Sequence, residues 1–232
     1  MVIISYSYGK DSTTMLLKML ENHMQVDKII FADTQYELPE MLEYQSKINK
    51  YLKDNYNLEV IKTKPYKNKT FEDWFYGKFT KGKQEGVIRG FPYVLSPCYW
   101  SREAKYIPLT KMYGKGNTIC IGYATNEMKR ANGKQYKNVV NKYRFPLIED
   151  FKIDEVACYN FLKEKGLEPP TKLRTGCWWC PKQSQKSLRY LYENHKDLWE
   201  QLKKWEADSP HGFRIKQTLE EFENKIKEKN NV

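Results

Sequence analysis

The chain of 232 residues lacks any apolar run approaching the roughly 18 residues needed to span a membrane. Its first twelve residues, MVIISYSYGKDS, have no basic region ahead of the short apolar run and no small-residue cleavage pattern. A cytoplasmic location with no membrane partner is therefore expected. Histidine is scarce: His23, His195 and His211 are the only three, and none has recognisable motif partners, so no Ser-His-Asp arrangement is visible. His23, at a helix end, reads as structural. The five cysteines, Cys98, Cys120, Cys158, Cys177 and Cys180, are odd in number and too sparse for a disulfide scaffold, which suits a reducing compartment. Cys120, inside an apolar strand-like run, and Cys158, on a helical face, read as ordinary buried residues.

What the chain does have is aromatic and cationic. With 18 Tyr and 6 Trp and a hydrophobic fraction of 40%, it has enough apolar surface to fold despite 30% charged residues. Its length fits one α/β domain with a smaller carboxy-terminal appendage. The net charge of +11 fits solubility, nucleotide phosphates or a polyanion partner alike. The excess is local. Lys62, Lys64, Lys67, Lys69, Lys78, Lys81, Lys83 and Arg89 crowd one stretch, and Lys129 to Arg144 carries basic residues without an acid.

Along the chain, Val2 to Ser5 reads as a strand, and Met15, Leu16, Met19 and Leu20 recur at helical spacing after a small, polar turn. Lys28 to Asp33 reads as a second strand. A helix follows, with Pro39 in its first turn and Leu42, Ile48 and Leu52 on one face, and Leu58 to Lys64 reads as a third strand. The β-α-β-α-β alternation predicts a parallel sheet, because parallel neighbours need long connections. Pro65 to Pro97 loses periodicity and reads as an insertion or mobile lid. Arg102 to Tyr113 reads as a helix interrupted near Pro108, Asn117 to Ala124 as a strand, and Glu149 to Gly166 as a helix with a terminal glycine. From Pro181 to Ser209 one or two helices are expected outside the parallel core, and the last eight residues read as a frayed tail. The expected domains are 1–165, an α/β nucleotide-binding part with 65–97 inserted, and 166–232, a Cys-x-x-Cys and helical part.

Ser7-Tyr8-Gly9-Lys10-Asp11-Ser12 lies between the first strand and first helix. A small Gly-containing turn there points backbone N–H groups into one concavity, with the helix dipole behind them. Ser7 and Ser12 add hydroxyls, Gly9 allows close approach, and Lys10 adds a point charge. The spacing excludes a Walker loop and a dinucleotide fingerprint. In isolation such a turn is also an ordinary helix cap at Asp11 or Ser12. Its place after the first strand of a β-α-β unit favours a ligand site.

These residues resemble the PP-loop ATP pyrophosphatases, in their phosphoadenosine-phosphosulfate-reductase-like branch. Ser7 to Ser12 is similar to that family's Ser-Gly-Gly-Lys-Asp-Ser loop, with Tyr8 in place of the first glycine. Asp33-Thr34 resembles its Asp-Thr-Gly element, with Gln35 for glycine. Gly122 to Arg130 resembles its Gly-hydrophobic-Arg-x-x-Glu-x-x-Arg segment, with Ala124 for the first arginine. The likeness runs, with gaps, from Val2 to about Pro181. It implies a twisted parallel sheet with helices on both faces, of the adenine-nucleotide-alpha-hydrolase type. It also implies an adenine nucleotide at the sheet's carboxyl edge: ATP with Mg2+, or alternatively phosphoadenosine or adenosine phosphosulfate. The expected nucleotide-binding residues are Ser7, Tyr8, Gly9, Lys10, Ser12, Asp33, Thr34 and Gly122, and the expected catalytic residues are Lys10, Asp11, Asp33 and Arg130. Lys10 favours ATP, because a leaving pyrophosphate develops more charge than sulfite.

Gly176-Cys177-Trp178-Trp179-Cys180-Pro181 is a Cys-x-x-Cys turn, a spacing that suits one metal or an aromatic packing turn. Cys98, followed by Lys105, Pro108 and Leu109, resembles the branch's cysteine segment and its Lys-x-x-Pro-Leu sequence. The resemblance implies that Cys98, Cys177 and Cys180 hold a 4Fe-4S cluster with one iron open. A zinc site completed by His195 or His211 is the alternative. Convergence of the three cysteines is expected because the crossover from Gly122 to Ile153 returns the chain to the loop's edge of the sheet.

Three functions follow as expectations. The first is an enzyme that adenylates an acceptor, releases pyrophosphate and replaces AMP with sulfur, with a nucleic acid (tRNA or DNA) as possible acceptor and a sulfur donor or reductant protein as possible partner. The second is a reductase that releases sulfite from an adenylyl sulfate, weakened by the lack of a cysteine after Cys180. The third is a non-catalytic zinc module that binds nucleic acid through the basic stretches.

Overall fold

The computed structural model describes residues 1–92, 96–137, 140–170 and 176–230. Its strands are β1 (Val2–Tyr6), β2 (Lys28–Ala32), β3 (Val60–Thr63), β4 (Thr118–Ile121) and β5 (Lys142–Arg144), all parallel, in the order β3-β2-β1-β4-β5. The direction of strand addition reverses between β1 and β4. In an open parallel sheet that reversal leaves a crevice at the carboxyl ends.

Strand alternation divides the apolar side chains between two faces. Ile4, Tyr6, Ile29, Phe31 and Cys120 belong to one core, which also takes α1 (Lys10–Glu21), α2 (Pro39–Tyr56) and α8 (Glu155–Glu164). Ile3, Ile30 and Ile119 face the other way, onto Leu109 and Tyr113 of α5 (Ile107–Tyr113). Helices thus cover both faces. Helix α1 is buried on more than one side because α7 (Pro146–Glu149) and α8 pack over it, which explains Thr13 and Thr14 in its interior. Their hydroxyls are satisfied: Thr13 bonds Tyr6 Oη at 2.9 Å, and Thr14 donates to the Cys158 carbonyl at 3.0 Å. Cys120 and Cys158 are fully buried, as expected.

A second core is almost wholly aromatic. Phe71, Trp74 and Phe75, in or beside α3 (Phe71–Phe75), and Phe91 join Trp100 of α4 (Tyr99–Ser101). They pack on Trp178, Trp179 and side chains of α9 (Gln185–Asn194), α10 (Lys196–Asp208) and α11 (Leu219–Asn230). Phe71 and Trp179 stack with centroids 3.5 Å apart, and Trp178 stacks on Trp205 at 5.3 Å. The 65–97 segment, expected as an insertion or lid, therefore contributes its described aromatic residues to the same core as the carboxy-terminal helices. Tyr93, Val94 and Leu95 within it lie outside the described residues.

Several boundaries differ from expectation. Strand β5 went unread, because Lys-Tyr-Arg is too short and polar to show a strand pattern. The region around Pro108 is not interrupted: α4, a π turn at Arg102–Tyr106, α5 and Pro108 form one run, the wider turn relieving the clash that proline makes with the preceding turn. Glu149 to Gly166 holds two helices, with Asp154 capping α8 through Ala157 N at 2.8 Å. The expected frayed tail is helical to Asn230; Asn231 and Val232 lie outside the described residues. Among the described residues no helix is long and apolar enough to cross a membrane.

The aromatic core makes the carboxy-terminal part integral to stability. Trp205→Ala is expected to cost about 3–5 kcal/mol, read from the midpoint of a urea unfolding curve, whereas Lys204→Ala on the same helix should move the midpoint little.

Candidate nucleotide site and cysteine cavity

The loop after β1 is built by one unusual backbone residue. Tyr8 has φ 54°, in the left-handed region that disfavours side chains. The position is held by its ring, which is fully buried between Tyr6 and Phe31, and by a 2.7 Å bond from its hydroxyl to Asn49 Oδ1 on α2. Burial pushes the Tyr8 phenol up to about 12, so it remains a donor at neutral pH. Gln35 does the same after β2, with φ 66° and its N–H donated to Asp33 Oδ1 at 2.8 Å. Both positions where this sequence departs from the family's glycine thus keep a glycine-like backbone.

Gly9 forms the N-cap of α1 without a side-chain cap, so the first turn of this 12-residue helix opens toward the crevice. Ser7 and Ser12 hydroxyls bond each other at 2.9 Å, and Ser12 Oγ also receives Ser7 N–H at 3.3 Å, which folds the loop on itself. Gly122, just beyond β4, closes it from the far side. A Cβ there would stand 2.7 Å from Ser12 Cα and 2.8 Å from Ser12 N. Only glycine permits this approach.

Lys10 is held across the loop mouth. Its Nζ lies 2.9 Å from both Asp11 oxygens and 3.1 Å from Glu155 Oε2 of α8. Burial opposes its charge but is outweighed by these two carboxylates, and its pKa is raised. Burial also raises that of Asp11, with Lys10 pulling it down and Glu155 and Glu127 pushing it up. Glu155 in turn accepts from Asn126 at 2.9 Å. Sequence reasoning missed Glu155 and Asn126; the acidic start of α8 was the signal for the first. Arg130, in α6 (Met128–Ala131), is more exposed, pairs with Glu127 and lies 4.3 Å over the Tyr123 ring. The structure brings Ser7 to Ser12, Gly122 and Lys10 together, with Arg130 at the rim. Asp33 stands at the end of the neighbouring strand β2, near enough to Tyr8 for its charge to raise the phenol.

Thr34 links this edge to the cysteines. It is fully buried and its Oγ1 is 3.5 Å from Cys177 Sγ. The Cys-x-x-Cys turn docks on the segment after β2, with Trp178 N–H donating to the Tyr36 carbonyl at 2.9 Å and Gly176 N–H to Glu37 Oε2 at 2.9 Å. Cys98, Cys177 and Cys180 line one cavity of about 240 Å³, together with Trp100, Trp179 and Lys105. They converge on one cavity, yet among the described residues no three His, Cys, Asp or Glu side chains are grouped closely enough to hold a metal ion. His195 is engaged by Glu40 at 3.1 Å and His211 by the Phe91 carbonyl at 2.7 Å, so neither completes a zinc set here.

Residues 1–85 match the family model of the phosphoadenosine phosphosulfate reductase domain. Over those residues the chain is similar to that domain. The matched stretch contains the Ser7 to Ser12 loop and Asp33-Thr34, and ends before Cys98, Gly122 and Arg130. Among solved structures, phosphoadenylyl-sulfate reductase from Candida auris in a phosphate complex is similar over 71% of this chain and 72% of that one, at 15% identity and a TM-score of 0.45. No curated protein sequence matches the chain. The fold assignment rests on the strand order above.

Two outcomes follow. Gly122→Ala should lower stability by about 1–3 kcal/mol through overpacking against Ser12, measured by thermal melting, whereas Gln35→Gly should leave the midpoint unchanged or raise it. Burial pushes the Cys177 thiol up to about 12, so in metal-free protein its alkylation by iodoacetamide at pH 7.5 should run about a thousandfold slower than that of an exposed cysteine and accelerate as pH rises. Mass spectrometry of the labelled peptide reads this directly.

Proposed function

We propose that the chain binds ATP as its magnesium complex in the crevice between β1 and β4 and uses it to adenylate an acceptor oxygen. The acceptor oxygen attacks the α-phosphorus, the bond to the bridging oxygen breaks, and pyrophosphate leaves. A sulfide donor then forms the bond to the acceptor carbon as AMP departs. The observation that carries this reading is the uncapped α1 terminus behind the Ser7 to Ser12 loop, at the reversal point of the sheet, with a lysine at its mouth.

In this reading the N–H groups at the start of α1 and the hydroxyls of Ser7 and Ser12 hold the pyrophosphate portion. Lys10 exchanges its carboxylate partners for phosphate oxygens and stabilises the charge that develops on the leaving group. Asp11 holds Lys10 at the loop mouth until the phosphates replace it. Asp33, at the end of β2, takes a ribose hydroxyl or the magnesium ion, and Arg130 leaves Glu127 to clamp phosphate. The basic stretch from Lys129 to Arg144, of which Asn138 and Val139 lie outside the described residues, makes a tRNA or DNA acceptor reasonable. No step is routed through a metal centre at the cysteines; iron and zinc analysis of anaerobically purified protein tests for one, and finding neither leaves the nucleotide chemistry standing.

Reduction of an adenylyl sulfate to sulfite is the second reading, favoured by the family match over residues 1–85. Pyrophosphate release from labelled ATP in the presence of candidate acceptors decides between the two. We expect release from ATP, lowered at least a hundredfold by Lys10→Ala, with little sulfite formed in a thioredoxin-coupled assay. Tight binding of a phosphosulfate nucleotide with no ATP binding would overturn the adenylation reading.

A further inference from the structure

The helical run that leads into β4 carries two large rings into solvent. Tyr99, at its start, is 58% exposed and Tyr106 is 67% exposed. Arg102 is exposed between them, and intervals of three and four residues put all three on one side of the run. Trp100 and Ala104, on the other side, are buried. Among the described residues no side-chain hydrogen bond, ion pair or ring contact holds Tyr99, Arg102 or Tyr106. A single exposed tyrosine is ordinary; what surrounds this pair is not.

Burial raises the pKa of Tyr143 on β5, and Tyr106 lies close enough for its phenol to add to the shift. From Tyr143 the rings continue to Tyr136, with centroids 5.0 Å apart, from there to Phe145 at 5.3 Å, and from Phe145 to Tyr123, stacked at 5.7 Å. Tyr123 ends under Arg130, at the rim of the nucleotide crevice. These four rings are partly exposed, so the series crosses the outer edge of the sheet at its surface. Cations flank it. Residues 99–106 and 128–144 hold eight lysines and arginines and one acid, Glu103, which faces Lys69 at 4.0 Å. Arg130 pairs with Glu127, and Arg144 with Glu149 and Asp150. Lys129, Lys134, Lys137 and Lys142 are exposed and have no ion pair among the described residues.

Rings set among unpaired cations, along a line that ends at the crevice, suit a chain that alternates flat apolar groups with negative charges. A polynucleotide is such a chain, and its base faces are free to lie on rings only where it is single-stranded. A duplex hides those faces, and the α-helix within 128–144, α6, has only four residues to offer a groove. An acidic protein surface would engage the lysines and leave the tyrosines unused. We propose that the surface running from Tyr99 and Tyr106 across Tyr143 and Tyr136 to Arg130 binds a single-stranded segment of nucleic acid and leads it to the crevice. This names the class of the acceptor in the proposed function and rests on that reading for its chemistry, whereas the binding itself needs no ATP.

Fluorescence anisotropy of end-labelled oligonucleotides of about 12 residues, DNA and RNA, each as a single strand and as a duplex, is measured against the full chain without ATP. Saturable binding of a single strand is expected, roughly fivefold or more tighter than of its duplex, and weakening by roughly tenfold or more between about 50 and 200 mM salt. Tyr106→Ala should weaken it by roughly fivefold or more while the thermal midpoint stays in place, because the ring is exposed. Lys134→Glu should weaken it more than Lys225→Glu, which makes the same change of net charge on α11. The proposal fails if neither single strand binds saturably, if duplexes bind as tightly, if Tyr106→Ala binds like the unaltered protein, or if the two glutamate variants lose affinity equally. Single-strand binding by a chain that neither binds ATP nor releases pyrophosphate would overturn the adenylation reading and leave this surface standing. Pyrophosphate release without single-strand binding would do the reverse.

Discussion

The left-handed turn at Tyr8 is the constraint on which the carboxyl edge depends. It turns the chain sharply out of β1 so that Gly9 can start α1 without a capping side chain. An L-residue in this conformation costs about 1–2 kcal/mol. The ring offsets that cost by filling the space among Tyr6, Phe31 and Asn49, where glycine would leave a hole. A glycine would give the same turn cheaply but would leave α2 untied to the loop. In this chain one side chain both holds the loop's backbone and ties it to α2.

The second dependence is between the two cores. The parallel sheet alone would expose the segment after β2, because the chain from Gln35 to Leu38 runs off its carboxyl edge. Tyr36 covers that gap by pointing into the aromatic core, where it meets Phe71, Trp100, Trp178, Trp179 and Trp205 edge-on or tilted. Its carbonyl anchors Trp178 and its hydroxyl accepts Phe71 N–H at 3.1 Å. The inserted segment, the Cys-x-x-Cys turn and the carboxy-terminal helices are thereby assembled around one residue two positions beyond Thr34. This is how the cysteine cavity comes to lie against the nucleotide edge despite the sequence distance between Cys98 and Cys177.

These relations explain what could be read from the sequence. The first three strands and two helices were legible because their apolar residues recur at clean periods of two and of three to four. The loop was legible because small and charged residues sit together at a strand end. Convergence of the cysteines on one cavity was foreseen. The join of residues 71–91 to the carboxy-terminal helices was not legible, since aromatic residues in a Lys- and Gly-rich stretch show no period and their partners are distant in sequence. Strand β5 escaped for the opposite reason: its pairing with β4 is made by backbone groups, and its side chains advertise nothing. Glu155 was hidden because an acid in a helix's first turn has an ordinary explanation in the helix dipole.

That last residue changes how the loop is understood. Lys10 does not wait as a bare charge but bridges Asp11 and Glu155, while Arg130 pairs with Glu127. Three carboxylates therefore hold the edge's cations in place and neutralise the crevice before any anion arrives. A weakly charged ligand cannot displace them, because exchanging one carboxylate for another singly charged group gains little Coulomb energy in a partly hydrated site. A polyphosphate offers several charged oxygens to Lys10 and to the N-terminal turn of α1 at once, and so competes where a single anion does not. The pairing lowers absolute affinity and raises selectivity for ligands with dense negative charge.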